Sequence, residues 1–189
     1  MKKHLAVVLL SLSLSAVAAP FKGGVFDPPR AAPQIGVLGS DGKPFRMADH
    51  KGKVVVLEFG YTNCQDVCPV SLAALVQARE QLGKDAGKLQ VVFVSVDPAR
   101  DTMPKLKAYL KQFDPSFIGI TGTQAQVDAV LKEYGISASK RPVAGGADYL
   151  MGHSSYLYFV DPNGMLRSML PFGRPAAEIV HDARLLLKP

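Results

Sequence analysis

Two unbroken apolar runs stand out along the chain. Val54, Val55, Val56 and Leu57 lie inside one over residues 53–59, and residues 89–96 form the other. Runs of this kind, without alternation, read as strands covered on both faces, as in a parallel sheet. Between them Val67, Leu72, Leu75, Val76, Ala78 and Leu82 fall at helical spacing, so a helix starts at about residue 67. Asp101 or Thr102 is a natural cap for a further helix over 103–113, with Pro104 in its first turn. Residues 117–120 read as a short strand. Thr123 and Gln126 then form a capping box for a helix that ends at Gly135. Residues 136–148 are polar and read as a loop. A strand over 156–160, the turn Asp161-Pro162-Asn163-Gly164 and a returning strand over 165–170 predict an antiparallel pair. An amphipathic helix over 175–187 closes the chain. Ahead of all these, residues 35–38 and 44–47 flank the turn Gly39-Ser40-Asp41-Gly42 and predict a small N-terminal hairpin packed on one edge.

Strand, helix, strand, helix in this order implies an α/β fold with parallel pairing through right-handed crossovers. The length of 189 residues suits one domain, over 34–189. Residues 1–18 read as a secretory signal: Lys2 and Lys3 precede an apolar stretch, and Ala16-Val17-Ala18 offers small residues for cleavage. Export to the periplasm follows, and a membrane attachment is expected only where that signal stays uncleaved. Residues 19–33, rich in Pro and Gly, read as an extended linker. Without Lys2 and Lys3 the 22 basic residues fall to 20 against 16 acidic ones, a net charge of +4. That surplus is spread along the chain and does not point to nucleic acid.

Export sharpens the reading of the two cysteines, Cys64 and Cys68. They stand where the first apolar strand hands over to a helix, and a helix N-terminus favours thiolate over thiol. A structural disulfide between them would close a very short loop and restrain the unfolded chain little. A metal-binding or redox-active pair fits the position better. Glu58 stands six residues before Cys64, inside an otherwise apolar strand. It either reaches water or a lysine at the strand end, or is buried with a raised pKa as a proton carrier beneath the sulfurs. His153 precedes a later strand, and the sheet can bring it to the same rim. Two thiolates and one imidazole suit copper, as Cu(I) or Cu(II), whereas structural zinc normally takes four protein ligands. Met151 reads as core packing rather than a thioether ligand, and Asp66 as a charge complementing the helix dipole. His50 in a polar turn and His181 on the last helix read as surface residues.

Four blocks in order carry a resemblance. Residues 61–69 (Tyr-Thr-Asn-Cys-Gln-Asp-Val-Cys-Pro), 94–102 (Val-Ser-Val-Asp-Pro-Ala-Arg-Asp-Thr), 120–122 (Ile-Thr-Gly), and His153-Ser154-Ser155 with Asp161-Pro162-Asn163-Gly164 are similar to the Sco, or SenC, family. The similarity runs over about residues 34–188. It implies a thioredoxin-like fold, a central mixed sheet flanked by helices, and copper held by Cys64, Cys68 and His153. It also implies a role in assembling the dinuclear copper centre of cytochrome c oxidase, with the copper-binding oxidase subunit as partner. A second periplasmic copper chaperone or a thiol reductant is a further expected partner. Gln65 and Gly152 stand where family members often carry Pro and Asp, and Ser155 stands where thioredoxins carry a cis-Pro. Glu58 matches the buried acid of thioredoxins and keeps open an enzymatic alternative, a thiol-disulfide reductase acting on the copper-ligand cysteines of the oxidase subunit.

Overall fold

The computed structural model describes residues 20–143 and 148–188. The expected signal over 1–18 and the Gly145-Gly146 pair lie outside the described residues. Strand β1 (Gly24–Ala31) is followed by β2 (Val54–Gly60), helix α1 (Val67–Leu82), β3 (Leu89–Ser95), α2 (Met103–Lys111), β4 (Ile118–Ile120) and α3 (Gln124–Tyr134). Then come β5 (Ala138–Pro142), β6 (Tyr149–His153), β7 (Tyr156–Val160), β8 (Met165–Pro171) and α4 (Ala176–Leu187). Six strands form one mixed sheet in the order β1-β8-β7-β2-β3-β4, while β5 and β6 make a separate ribbon.

The sheet divides at β2. On one side β3 and then β4 run parallel to it; on the other β7 and β8 run antiparallel. Every residue of β2 and β3 is buried, which explains why apolar residues follow one another there without alternation, Glu58, Gln90 and Ser95 being the buried polar exceptions. Successive side chains of β2 point to opposite faces. Phe59 meets Tyr134 of α3 and Tyr158 of β7 at centroid distances of 5.3 and 5.6 Å, so α3 covers that face. Glu58 and Gly60 share the other face with Phe93, beneath α1 and α2; α4 packs beside α1. Thr123 makes the capping box expected of it, and Gly135 ends α3 in the left-handed region at φ 69°.

The N-terminal hairpin is reduced to one antiparallel bridge, Leu38 to Pro44, and docks on the sheet edge where Gly39 bridges Ile120. Three expectations need correction. Residues 20–34 are not an irregular linker: Gly24–Ala31 pairs antiparallel with β8 as an edge strand. Its prolines fall where the ladder shifts register between Val25 and Arg30, the setting in which a strand tolerates missing donors. Residues 136–148 are not simply a loop, because β5 pairs with β6 from Ala138–His153 to Pro142–Tyr149. That ribbon is exposed along most of β5, so no alternation of apolar and polar residues announces it. His50 is half-buried, with its ring stacked on Phe45 at 4.9 Å, and burial lowers its pKa. His181 stays partly exposed beside Asp182.

Candidate metal centre

The loop from β2 to α1 is held at its base. Thr62 donates through its backbone N–H and its hydroxyl to the Asp101 carboxylate, at 3.1 and 2.5 Å. Asp101 is fully buried and also accepts from Ser95 Oγ at 2.7 Å. It therefore does not cap α2; Thr102 holds that position without a side-chain bond. Lys105 Nζ donates to Asn63 Oδ1 at 2.6 Å, and Cys64 N–H donates to the Tyr61 carbonyl at 3.2 Å. The first cysteine is thus fixed before the helix begins.

Both cysteines are free thiols, Cys64 partly exposed and Cys68 buried. Cys68 N–H points at Cys64 Sγ at 3.4 Å. The Cys68 thiol donates to the same sulfur, and with the amides of Cys68, Asp66 and Val67 it lowers the Cys64 pKa to about 5 despite partial burial. Cys64 is consequently a thiolate at neutral pH. Cys68 is pushed in the opposite direction by that same hydrogen bond, by burial and by the charge of Glu58. Its sulfur occupies space that only glycine leaves on β2: a Cβ on Gly60 would lie 2.8 Å from Cys68 Sγ and 2.7 Å from Phe93 Cζ.

Glu58 is 4 % exposed, which settles its two readings in favour of burial. Desolvation raises its pKa well above the ordinary carboxylate range; the Cys64 charge adds to this and the Ser71 hydroxyl opposes it. One carboxylate oxygen, Oε2, has no hydrogen-bond partner. Glu58 shares a narrow cleft with Val67, Ser71, His153 and Ser155.

His153 ends β6. Its Nδ1 lies 3.0 Å from the Ser154 carbonyl, an acceptor only, so Nδ1 is the donor there and Nε2 is the ring nitrogen left to face a metal. The ring meets Tyr61 edge-on at 6.0 Å. Among the described residues no three His, Cys, Asp or Glu side chains converge on one ion-sized point. The structure therefore joins Cys64 and Cys68 above Glu58, and sets His153 against Tyr61 and on the Glu58 cleft without closing a three-ligand site. Met151 packs against the core, as its sequence position predicts, and Asp66 is an exposed residue at the α1 N-terminus. By donor chemistry, two soft sulfurs and one imidazole fit a copper ion better than a hard cation.

Residues 97–101 contribute more than sequence reasoning assigned them. Asp97, Arg100 and Asp101 are buried or nearly so and reach both the cysteine loop and the ribbon that carries His153. The available signal was two acidic residues, Asp97 and Asp101, in the short segment after a largely apolar strand.

A parallel β2-β3-β4 core, an antiparallel β7-β8 pair and free cysteines at the first helix start define a thioredoxin-like protein with a thiol site. A family model described as SCO1/SenC matches residues 31–188, and the chain belongs to that family. Protein SCO2, mitochondrial, of Saccharomyces cerevisiae is 45% identical over 126 residues, covering 66% of this chain and 42% of the yeast protein. The structure of Bradyrhizobium japonicum ScoI with copper bound is 35% identical, with a TM-score of 0.75, and covers 82% of this chain and 99% of that one. Yeast Sco1 with copper bound is 34% identical, with a TM-score of 0.68 and coverage of 85% of both chains. The chain spans 42% and 52% of the lengths of the yeast and bovine SCO2 relatives.

Proposed function

We propose that this chain is a copper chaperone of the periplasm. It holds copper through Cys64, Cys68 and His153 and passes it to the copper-binding subunit of cytochrome c oxidase. The observation that carries this reading is the Cys64 thiolate beside the buried Cys68 thiol, with His153 on the cleft that Glu58 and Val67 line. The copper-bound structures of related Sco proteins support it. Among the described residues no helix is long and apolar enough to cross a membrane. Copper here is cargo. Cys64 supplies the first ligand without losing a proton at neutral pH, whereas Cys68 must give one up before its sulfur binds as thiolate. His153 closes the set by moving toward the pair.

Copper titration of the reduced full chain with x-ray absorption tests the ligand set. Two sulfurs and at least one nitrogen are expected, with sulfur lost in Cys64→Ser or Cys68→Ser. Unchanged affinity in His153→Ala would sink the three-ligand site.

Glu58 favours a second activity for the same sulfurs. Cys64 thiolate attacks a disulfide on the target protein, forming a mixed disulfide and releasing one target thiolate. Cys68 then gives its proton to the Glu58 carboxylate and attacks Cys64 Sγ, forming the Cys64–Cys68 disulfide and releasing the second target thiolate. The target is reduced by two electrons and the pair oxidised by two, which also removes both sulfur ligands. A disulfide exchange assay tests this: Glu58→Gln should slow the second step, and exchange no faster than with free dithiol would exclude the activity.

A further inference from the structure

Two neighbouring residues, Arg100 and Asp101, hold opposite halves of the candidate site. Asp101 grips the cysteine loop through Thr62. Arg100, whose side chain is 17 % exposed, grips the start of the β5–β6 ribbon. Its Nη1 donates to the Tyr149 carbonyl at 2.8 Å and to Asp148 Oδ1 at 2.6 Å. Its guanidinium lies 3.7 Å from the centre of the Tyr149 ring, a close cation–π contact, while Lys140 Nζ lies 4.6 Å from the same ring. The Tyr149 hydroxyl donates to Asp97 Oδ1 at 2.8 Å, and Asp97 Oδ2 accepts from Arg100 Nε. Asp97 is 1 % exposed, so its charge needs both partners. The result is a closed ring of contacts, Asp97–Arg100–Tyr149, joining the end of β3 to the first residue of β6. His153 is the last residue of that same strand, four positions on.

We infer that the Asp97–Arg100–Tyr149 clamp positions His153 for copper, and that Arg100 is its central positioning residue. The inference rests on the ligand set proposed above. The ribbon lies outside the six-stranded sheet, and along most of β5 its side chains are exposed. The clamp adds a fixed point at the start of β6 to the partial burial that Met151 gives the same strand. It fixes where β6 begins, Tyr61 meets the His153 ring at its end, and His153 is left to swing toward a cysteine loop fixed from the adjacent residue, Asp101. A ligand held by a rigid neighbour loses less freedom on binding, and supports of this kind typically change metal affinity by about 10- to 100-fold.

The test uses the reduced full chain with copper as the probe. Arg100→Met removes the guanidinium fork; Tyr149→Phe is the milder variant, keeping the ring and deleting only its bond to Asp97. Both should weaken copper binding in competition titrations, Arg100→Met by about 10- to 100-fold. The nitrogen signature in the Cu(II) electron paramagnetic spectrum should weaken with it. In the copper-free protein, amide exchange along β6 should quicken by about tenfold while β2 and β3 keep their protection. In a His153→Ala background Arg100→Met should add no further loss. An equal loss in that background would overturn the inference, since the effect would then not pass through His153. So would unchanged affinity in Arg100→Met where His153→Ala alone weakens binding. Unchanged affinity in His153→Ala would overturn the ligand set itself, and the clamp's role in copper binding with it.

Discussion

Thr62 and Asp101, thirty-nine positions apart, are joined at the root of the cysteine loop by both Thr62 donors, the backbone N–H and the hydroxyl. Asp101 is fully buried, and beyond Thr62 its partners among the described residues are the Ser95 hydroxyl and the amine of Lys105, at 2.7 and 3.9 Å. The site's geometry therefore depends on a carboxylate that belongs to neither the cysteine motif nor the histidine ribbon.

Asp101→Ala should destabilise the fold by about 1–3 kcal/mol, because three buried donors lose their acceptor. Urea unfolding measures this. Thr62→Val, which deletes one hydroxyl donor and keeps the side-chain volume, should lose less. Alkylation of Cys64 in Asp101→Ala should become less site-selective as the loop loosens. Wild-type stability in Asp101→Ala would show that the loop is held from elsewhere.

The pH dependence of Cys64 follows from its hydrogen bonds. With the pKa at about 5, iodoacetamide reactivity should be on its plateau at pH 7 and fall about tenfold per pH unit well below pH 5. Cys68→Ala deletes the thiol donor, the largest cause of the lowering, and should move the midpoint upward. The pair also links to stability. Relative to unfolded thiols, the folded pair lacks one proton between about pH 5 and the ordinary thiol range near 8.5, so stability rises with pH across that window. Above it the unfolded chain loses both protons while the folded pair retains the one on Cys68, and stability falls again. A midpoint near 8.5 in the alkylation profile would contradict the structure.

Glu58 contributes with the opposite sign. Its folded pKa is raised, so the folded state keeps a proton that the unfolded chain releases near 4.5. Its contribution is therefore full below that value and is lost as pH rises toward the folded pKa, by up to about 1.4 kcal/mol per pH unit. Glu58→Gln removes the charge at nearly constant shape. It should leave stability near wild type at pH 4 and raise it above wild type at pH 7.5, by urea unfolding at both values. A difference independent of pH would mean that Glu58 titrates alike in the folded and unfolded chain.

The sheet was legible because β2 and β3 are buried on both faces and announce themselves as apolar runs; Thr123 and Gly135 announce α3 through local chemistry. Cys64, Cys68 and Glu58 were legible for a related reason, being reactive or charged groups in an apolar context. The Gly24–Ala31 strand was not, since its prolines look like linker, and only pairing with β8 gives it regular form. The β5–β6 ribbon was not, because an exposed ribbon lacks the alternation that burial writes into a sequence. Of the two caps the sequence offers for α2, Thr102 takes the position; that Asp101 instead holds Thr62 leaves no trace in local spacing, because the partner is thirty-nine positions away. Contacts of that range are fixed by topology.

Gly60 gives the most direct test of how tightly the second sulfur is housed. A methyl group there would meet Phe93 Cζ at 2.7 Å and Cys68 Sγ at 2.8 Å. Phe93 is fully buried in β3 and cannot retreat cheaply, and Cys68 is anchored in the first turn of α1. Gly60→Ala should therefore destabilise the protein by about 1–3 kcal/mol through overpacking, or push the α1 N-terminus outward. In the second case Cys68 becomes accessible. The reduced variant should then lose two alkylatable thiols at comparable rates, where wild type shows one fast thiol, Cys64, and one slow one. Urea unfolding combined with mass-resolved alkylation separates the two outcomes. A variant that matches wild type in both would show that the space beneath the sulfur is not limiting.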